Sequence, residues 1–357
     1  MEQHERLGEA QKIRLYLHTT RQRAFIRERL HPLLADFSRQ HLLPVRLMRR
    51  GWLHGPHVEL VVRPHGGRTC DVAELAPRLA GAVHGITPEP VDEDAYLRRA
   101  GQLGRMENVP GPYLPVHAHG TVDVPAMGDD DRWPRPLGDV RDAVLTALTD
   151  AACAETEPDA ARRRTRLAAV MAALAASSPV GLGLGAMSYR SHSEAFFALS
   201  PHTDVRAAFT RRFEQEGDAF REVVRRQLSS GTPTDLRPWT SAFTYGWGAL
   251  DALGSAGVLT AETVAAISAD QAGRATARPK THFHRTFDDL GLLDRPAHWF
   301  LAYRCLLNFL YTALPLLDVT PVERYYLCFA LSEALDQETG STWEQRLDDV
   351  RDELTGG

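Results

Sequence analysis

From Lys12 to Thr19 the chain alternates, with Ile13, Leu15 and Leu17 against Arg14, Tyr16 and His18. A period of two with β-favouring residues predicts a half-buried strand. Between Ala24 and Gln40 the apolar spacing lengthens to Phe25, Ile26, Leu30, Leu33, Leu34 and Phe37, which is helical. Val45–Leu47 and His57–Val62 read as further strands, the second with Val58, Leu60 and Val62 on one face. A second helix is predicted over Val72–Val83. Strand, helix, strand, strand, helix across residues 1–107 describes an α+β lobe built on an antiparallel or mixed sheet.

The pattern breaks between Asn108 and Pro136. Prolines 110, 112, 115, 125, 134 and 136 and the acid run Asp129–Asp131 forbid a long regular element. Residues 108–137 therefore read either as a linker or as an ordered segment anchored by Tyr113, Leu114, Val116 and Val122. From residue 138 to 357 the pattern is mainly helical. Helices are predicted over Asp139–Cys153, Ala160–Ala176, His192–Ser200, Asp204–Ser229, Trp239–Ala256, Ala297–Leu314 and Pro321–Gln337. Thr320, Pro321 and Glu323 supply an N-cap, a first-turn proline and a capping box for the last of these. No fixed-period repeat is visible, which argues against a solenoid.

Composition narrows the function classes. The 357 residues are 43% hydrophobic and 24% charged, with a formal net charge of −5. That is a globular chain with no global cationic field for nucleic acid. Nearly all basic residues are arginine, Lys12 and Lys280 being the lysines. Cys70, Cys153, Cys305 and Cys328 are widely spaced and lack any CxxC, which fits a reducing cytoplasm better than a disulfide framework. The opening MEQHERLGEA has neither the basic nor the apolar part of a secretory signal. The apolar stretch Trp299–Leu317 is interrupted by Arg304, Asn308 and Pro315, so it is expected to be a buried helix and not a membrane span.

Several chemical motifs fall away on inspection. Gly181, Gly183 and Gly185 follow an alanine-rich helix and lack both GxGxxG spacing and a Walker lysine, so a tight turn or irregular strand is expected there. His282/His284 and His117/His119 supply two imidazoles each without the further ligands that zinc needs, and read as loop histidines with no metal. There is no GxSxG, and Cys305 and Cys328 fall in apolar helices where a thiol is inert packing.

Two features remain. In Trp52-Leu-His54-Gly-Pro-His57-Val-Glu59 the Gly-Pro pair turns the chain, and period two then places His57 and Glu59 on one face. With Trp52 and His54 on the turn, this reads either as an edge that receives an extended peptide or as a plain hairpin. The second feature is Arg304, Asn308 and Tyr311, at i, i+4 and i+7 on a helix otherwise apolar on every side. Burial of a guanidinium and a carboxamide without partners costs several kcal/mol. The stripe is thus expected to meet a polar network, line a cavity, or both. Ser188, His192 and Glu194 lie in the other dense cluster of polar groups, Gly185–Glu194, which is expected to supply partners.

The strand Ile13–His18, the helix Ile26–Phe37 with its HPLL, and GWLHGPHVELVVR at residues 51–63 resemble the start of the C-terminal elimination domain of lantibiotic dehydratases. GPYLPVHAHGTVDV at 111–124, SYRSHSEAFF at 188–197 and AYRCLLNFLYTALPLLDVTPVERYYLCFALSEAL at 302–335 resemble the stand-alone relatives from thiopeptide clusters, the pyridine synthases or aza-[4+2] cyclases. The resemblance spans most of the chain through short motifs. It implies an elimination-domain-like α+β fold, a ribosomal precursor peptide as partner, and no metal or organic cofactor. The reaction implied joins two dehydroalanines in a formal [4+2] cycloaddition, and loss of water and of the leader peptide as an amide then leaves a pyridine.

Elimination domains tend to carry histidine four residues before the asparagine, where this chain has Arg304. That departure favours the cyclase over glutamate elimination. On this reading Tyr311 exchanges a proton at the reacting amide, Arg304 or Asn308 polarises its carbonyl, and Ser188, His192 and Glu194 relay protons. Trp52, His54, His57, Glu59, Arg49 and Tyr189 are the candidate peptide contacts. The alternatives are a stand-alone glutamate-eliminating enzyme and a non-catalytic precursor carrier. Nucleic acid and membrane are not expected partners, whereas association with other biosynthetic enzymes is compatible with every reading.

Overall fold

The computed structural model describes residues 11–41, 47–62, 72–107, 109–126, 133–199, 204–265, 281–291 and 296–355. The predicted first strand forms as β1 (Gln11–Tyr16). A helical run follows, α1 (Gln22–Phe25), a π-helical stretch Ile26–Leu30, and α2 (His31–His41). Strand β2 (Leu47–Gly51) carries on from a predicted strand whose first residues lie outside the described ones, and β3 (His57–Val62) has its predicted bounds. Next come α3 (Val72–Ala82), α4 (Glu93–Glu107) and the short β4 (Val122–Asp123).

The four strands form one antiparallel sheet in the order β2-β3-β1-β4. β4 comes from the proline-rich segment and pairs Asp123 with Arg14 and Val122 with Leu15. Residues 109–126 are therefore an ordered part of this fold, bonded to β1. Cross-strand partners share a face. One face stacks Ile13, Leu60 and Met48 beside Leu15 and Val58, with Arg50 at its rim. Arg50 reaches Asp318 at 2.6 Å and the Pro315 carbonyl at 3.0 Å.

The other face carries the polar alternates, yet it is not open to water. Lys12, Tyr16, His57 and Glu59 are all buried. The half-buried strand expected from the alternation is thus corrected. Period two separates an apolar buried face from a polar buried face, and a sequence pattern alone cannot tell the second from a solvated one.

The remaining elements are helical. They are α5 (Leu137–Ala154), α6 (Ala160–Ala176), α7 (Gly181–Gly185), α8 (Met187–Ala198), α9 (Val205–Ser230), α10 (Arg237–Ser255), α11 (His282–Asp289), α12 (His298–Ala313), α13 (Pro321–Thr339) and α14 (Trp343–Thr355). The expected cap of α13 is present, with the Thr320 side chain accepting the Glu323 amide at 3.2 Å. Where a turn or irregular strand was expected, Gly181–Gly185 is a short helix. Gly185 explains its position, because a Cβ there would lie 2.4 Å from the Ala175 carbonyl oxygen, so only glycine lets α7 close on α6.

By contacts the chain divides into two units. The first holds the chain up to Glu155 together with Phe309–Asp318, including the sheet, α1–α5 and the proline-rich segment. In it α5 packs on β2. Among the described residues, the second holds those from Thr156 to Asn308 and those from Val319 onward. Its α13 packs on α8, α9 and α6. The apolar stretch Trp299–Leu317 becomes α12 and a 3-10 turn, Leu314–Leu317, and is mostly buried, as expected of a core helix.

Candidate functional site: a polar sheet face and a helical stripe

Across the polar face of the sheet, Asp123, Arg14, Glu59 and Arg49 occupy register positions on β4, β1, β3 and β2. Charges therefore alternate from strand to strand. Glu59 is the hub, accepting from Arg49 Nη2 at 2.6 Å and from Arg14 Nε at 3.1 Å, with Lys12 Nζ at 3.8 Å. Burial alone would raise its carboxyl, but Arg49, Lys12 and Arg14 override that and hold it below the ordinary range. The sequence placed His57 and Glu59 on one face and Arg49 near them, and the structure joins Glu59 to Arg49. It does not leave β3 as an edge. β3 lies between β2 and β1, so an extended peptide cannot add to it, and that expectation is corrected.

Two residues along on the same face, Tyr16, His57 and Gly51 lie in a row. His57 is 2% exposed, and its Nδ1 is 2.9 Å from the Gly55 carbonyl oxygen. A carbonyl only accepts, so the proton sits on Nδ1. The ring lies against Gly51, where a Cβ would come within 2.1 Å of Nε2. Burial pushes this imidazole down to about 4, against the opposing pull of the Gly55 hydrogen bond.

The turn Trp52–Pro56 brings its own constraints. His54 and Gly55 have φ of 60° and 115°, and the second suits glycine. Tyr96 on α4 holds the turn, its hydroxyl accepting the Gly55 amide at 3.1 Å beside the Trp52 and Tyr113 carbonyls. The Trp52 ring meets Tyr113 edge-on at 5.6 Å.

The proline-rich segment closes over this row. His117 donates its amide to the His54 carbonyl at 2.9 Å, and its ring lies 4.5 Å from Tyr16 and 5.9 Å from His54. The His18 amide donates to His119 Nδ1 at 2.9 Å. Five imidazoles and Tyr16 thus share one cluster, in which the Tyr16 hydroxyl, His18 Nε2, His54 Nδ1 and His119 Nε2 are buried without a hydrogen-bond partner. Among the described residues no three His, Cys, Asp or Glu side chains converge as metal ligands. From sequence His117 and His119 were weighed only as a loop pair without metal, and Tyr16, His18 and Tyr96 were not among the candidate site residues. Their signal was present as two His-x-His or Tyr-x-His pairs of equal spacing, one on β1 and one in the proline-rich segment.

The stripe on α12 has a different setting from the one expected. Arg304 and Asn308 are exposed, and Tyr311 is buried. The premise that Arg304 is a buried guanidinium is therefore corrected, because the apolar positions of α12 leave one narrow face for solvent, which Arg304 and Asn308 occupy. The reactive-thiol question closes as expected for Cys305, whose thiol burial pushes up to about 12. Cys153, Cys305 and Cys328 are free and buried, and Cys70 lies outside the described residues.

On α8 the candidates separate. At about 100° per residue, Ser188 and His192 share a face while Glu194 lies on the opposite side. Glu194 pairs with Arg206 at 2.7 Å, and that guanidinium lies over Phe197. A three-member relay through Ser188, His192 and Glu194 is not assembled. Tyr189 is fully buried, donating to the Met171 carbonyl at 2.7 Å, and cannot touch a peptide, so it packs the core. The buried arginine of this unit is Arg190, 5% exposed and held by Glu333 at 2.6 Å and Asp336 at 2.7 Å. Asp336 is shared with Arg346 at 2.5 Å. His282 and His284, expected in a loop, open α11, where His284 Nδ1 meets Thr281 Oγ1 at 2.7 Å and Nε2 meets Ser191 Oγ at 3.1 Å.

No protein-family model and no curated protein matches the chain. Solved structures do. The pyridine synthase TbtD from thiomuracin biosynthesis superposes with a TM-score of 0.63 at 18% identity, over 93% of this chain and 99% of that one. TsrL superposes with a TM-score of 0.62 at 15% identity, over 95% of this chain and 97% of that one. The chain has the mixed α+β fold of TbtD.

Proposed function

We propose that this protein is a pyridine synthase of thiopeptide type, closing a macrocycle on a dehydrated, azole-bearing ribosomal precursor peptide. The observation that carries the reading is the likeness to TbtD over nearly the whole of both chains, which agrees with the motifs at 111–124, 188–197 and 302–335. Two dehydroalanines of one peptide are held within reacting distance, a proximity effect worth several kcal/mol. The amide preceding one dehydroalanine takes its iminol form, so that its C=N and the alkene make a 2-azadiene. The alkene of the second dehydroalanine adds across its ends, the iminol hydroxyl departs as water, and the leader departs as a carboxamide. Arg304 and Asn308, exposed on α12, polarise the reacting carbonyl, and Tyr311, about one turn further along, exchanges its proton. His54, Trp52 and the histidine cluster supply peptide-facing groups, with Glu59 and His57 beneath them as the buried frame that fixes the turn. We place the enzyme in the cytoplasm, where its free thiols stay reduced.

The test is mass spectrometry of a dehydrated, azole-bearing precursor after incubation with the purified protein. Release of the leader as a carboxamide with a new aromatic ring is the expected result. Loss of glutamate from a glutamylated precursor would instead make it an eliminating enzyme, and an unchanged mass would make it a carrier. Tyr311→Phe and Arg304→Ala should each slow ring formation at least tenfold, and wild-type rates in both would remove them from the chemistry.

A further inference from the structure

The second unit contains a groove that none of these residues occupies. Two cavities lie end to end along α6, of about 310 and 550 Å³, sharing Gln227 and Pro233 as a common wall. The first opens beside Arg162 on the first turn of α6, and the second ends beside Ser177, just past its last turn. Fifteen residues at 1.5 Å rise make this run about 22 Å, the length of six or seven residues of extended peptide.

The lining is cationic in a protein whose formal charge is −5. Arg162, Arg166, Arg226 and Arg237 face Asp235 as the lone acidic residue of the lining. Arg166 is taken up by Asp235 and Arg226 by Glu222. Arg162 and Arg237 are exposed, one in each cavity, and make no side-chain ion pair among the described residues. Between them lie threonine hydroxyls, including Thr232, Thr234 and Thr244, over an apolar floor of Ala173 and Phe243.

Free guanidiniums at separate points of an elongated groove fit carboxylates spaced along a chain, not a single phosphate. Hydroxyls and the Gln227 carboxamide suit the amides between them. A single-stranded nucleic acid would instead call for stacking rings, and the one aromatic in the lining, Phe243, is buried. We propose that this groove docks an acidic segment of a polypeptide. That the polypeptide is the precursor peptide rests on the function proposed above.

Fluorescence anisotropy with a labelled octaglutamate tests the docking on the full chain, without any turnover. Octaglutamate is expected to bind, more weakly as salt rises, while octaglutamine binds at least tenfold more weakly. The double variant Arg162→Glu/Arg237→Glu should lose at least tenfold in affinity with an unchanged unfolding midpoint, and Arg162→Lys/Arg237→Lys should keep most of it. Equal binding of octaglutamate by wild type and the charge-reversed variant would overturn the proposal, as would a preference for an eight-nucleotide thymidine strand. With a dehydrated precursor carrying an acidic leader, the same reversal should raise KM and leave kcat unchanged. If no ring forms with any precursor, the proposed function fails while the octaglutamate result still decides the groove.

Discussion

The polar cluster on the sheet and the arginine network on α8 and α13 each gather half-buried groups around buried ones, Tyr16 and His57 in the first and Arg190 in the second, and they solve burial in opposite ways. Around Arg190 each charge faces a counter-charge, with Glu333 and Asp336 on the guanidinium and Arg346 on Asp336, although the Nε atoms of both arginines lack an acceptor. Around Tyr16, burial lowers His57, His18 and His119, and four buried polar atoms have no hydrogen-bond partner. An unsatisfied buried donor or acceptor costs about 1–3 kcal/mol, so such a cluster weakens the fold unless something supplies the missing partners. The first arrangement is a staple between helices. The second is a set of open valences under the turn that carries Trp52 and His54, ready for water or for the amides of a bound chain.

The largest effect of a substitution should come from the staple. Arg190→Met keeps volume but leaves Glu333 and Asp336 without their shared cation. Breaking a fully buried pair by removing one partner costs about 3–5 kcal/mol. Glu333 is partly exposed and Asp336 keeps Arg346, so chemical denaturation should show a loss of about 2–3 kcal/mol. A loss under about 1 kcal/mol would mean that the carboxylates simply turn to water. Acid should act next, and on the sheet cluster. His57 is lowered to about 4 in the folded chain from an ordinary 6.5. The unfolded chain therefore binds the extra proton between those values, and stability rises with pH across that window. From pH 6.5 down to 4 the folded state should lose about 3 kcal/mol, at about 1.4 kcal/mol per unit. Burial and the neighbouring His119 lower His18 too, and burial lowers His119, so the loss steepens below pH 6.5. Equilibrium unfolding of wild type and His57→Gln across this range checks it, because the variant should lose most of the slope.

This contrast also marks what the sequence could and could not convey. β1, β3 and the capped α13 were legible, since period two, helical spacing and a Thr-Pro-x-Glu cap are local signals. Helix α4 was not, because it is exposed over much of its length and its Tyr96 works through a hydroxyl on a distant turn. Glu59 and His57 were rightly paired on one face, but strand order decides whether that face is an edge, and order is not written in β3 itself. Burial of a polar residue is likewise a property of its neighbours. In sequence Arg190 sits among serines and a histidine and Arg304 among apolar residues, yet Arg190 is the one enclosed, because Glu333 and Asp336 meet it from another helix.

Gly51→Ala probes the sheet cluster at smaller scale. Its Cβ would overlap the His57 ring, and overpacking of this kind costs about 1–3 kcal/mol. If the clash is the cause, the cost should shrink in a His57→Ala background, because coupled neighbours are not additive. Equal costs in both backgrounds would place the strain in the backbone of β2 instead.

The smallest effect on stability belongs to Arg304, and it is the sharpest test of the comparison. Exposed and making no ion pair among the described residues, Arg304 holds nothing together, so Arg304→Ala should change unfolding free energy by less than about 0.5 kcal/mol. Arg190→Met should do the reverse, with a large loss of stability whose effect on ring formation disappears once the fraction folded is taken into account. An arginine that costs nothing to remove from the fold but stops the reaction acts on the substrate. If instead Arg304→Ala destabilises the chain as much as Arg190→Met, α12 draws on its stripe for packing, and the chemistry assigned to Arg304 belongs to another residue.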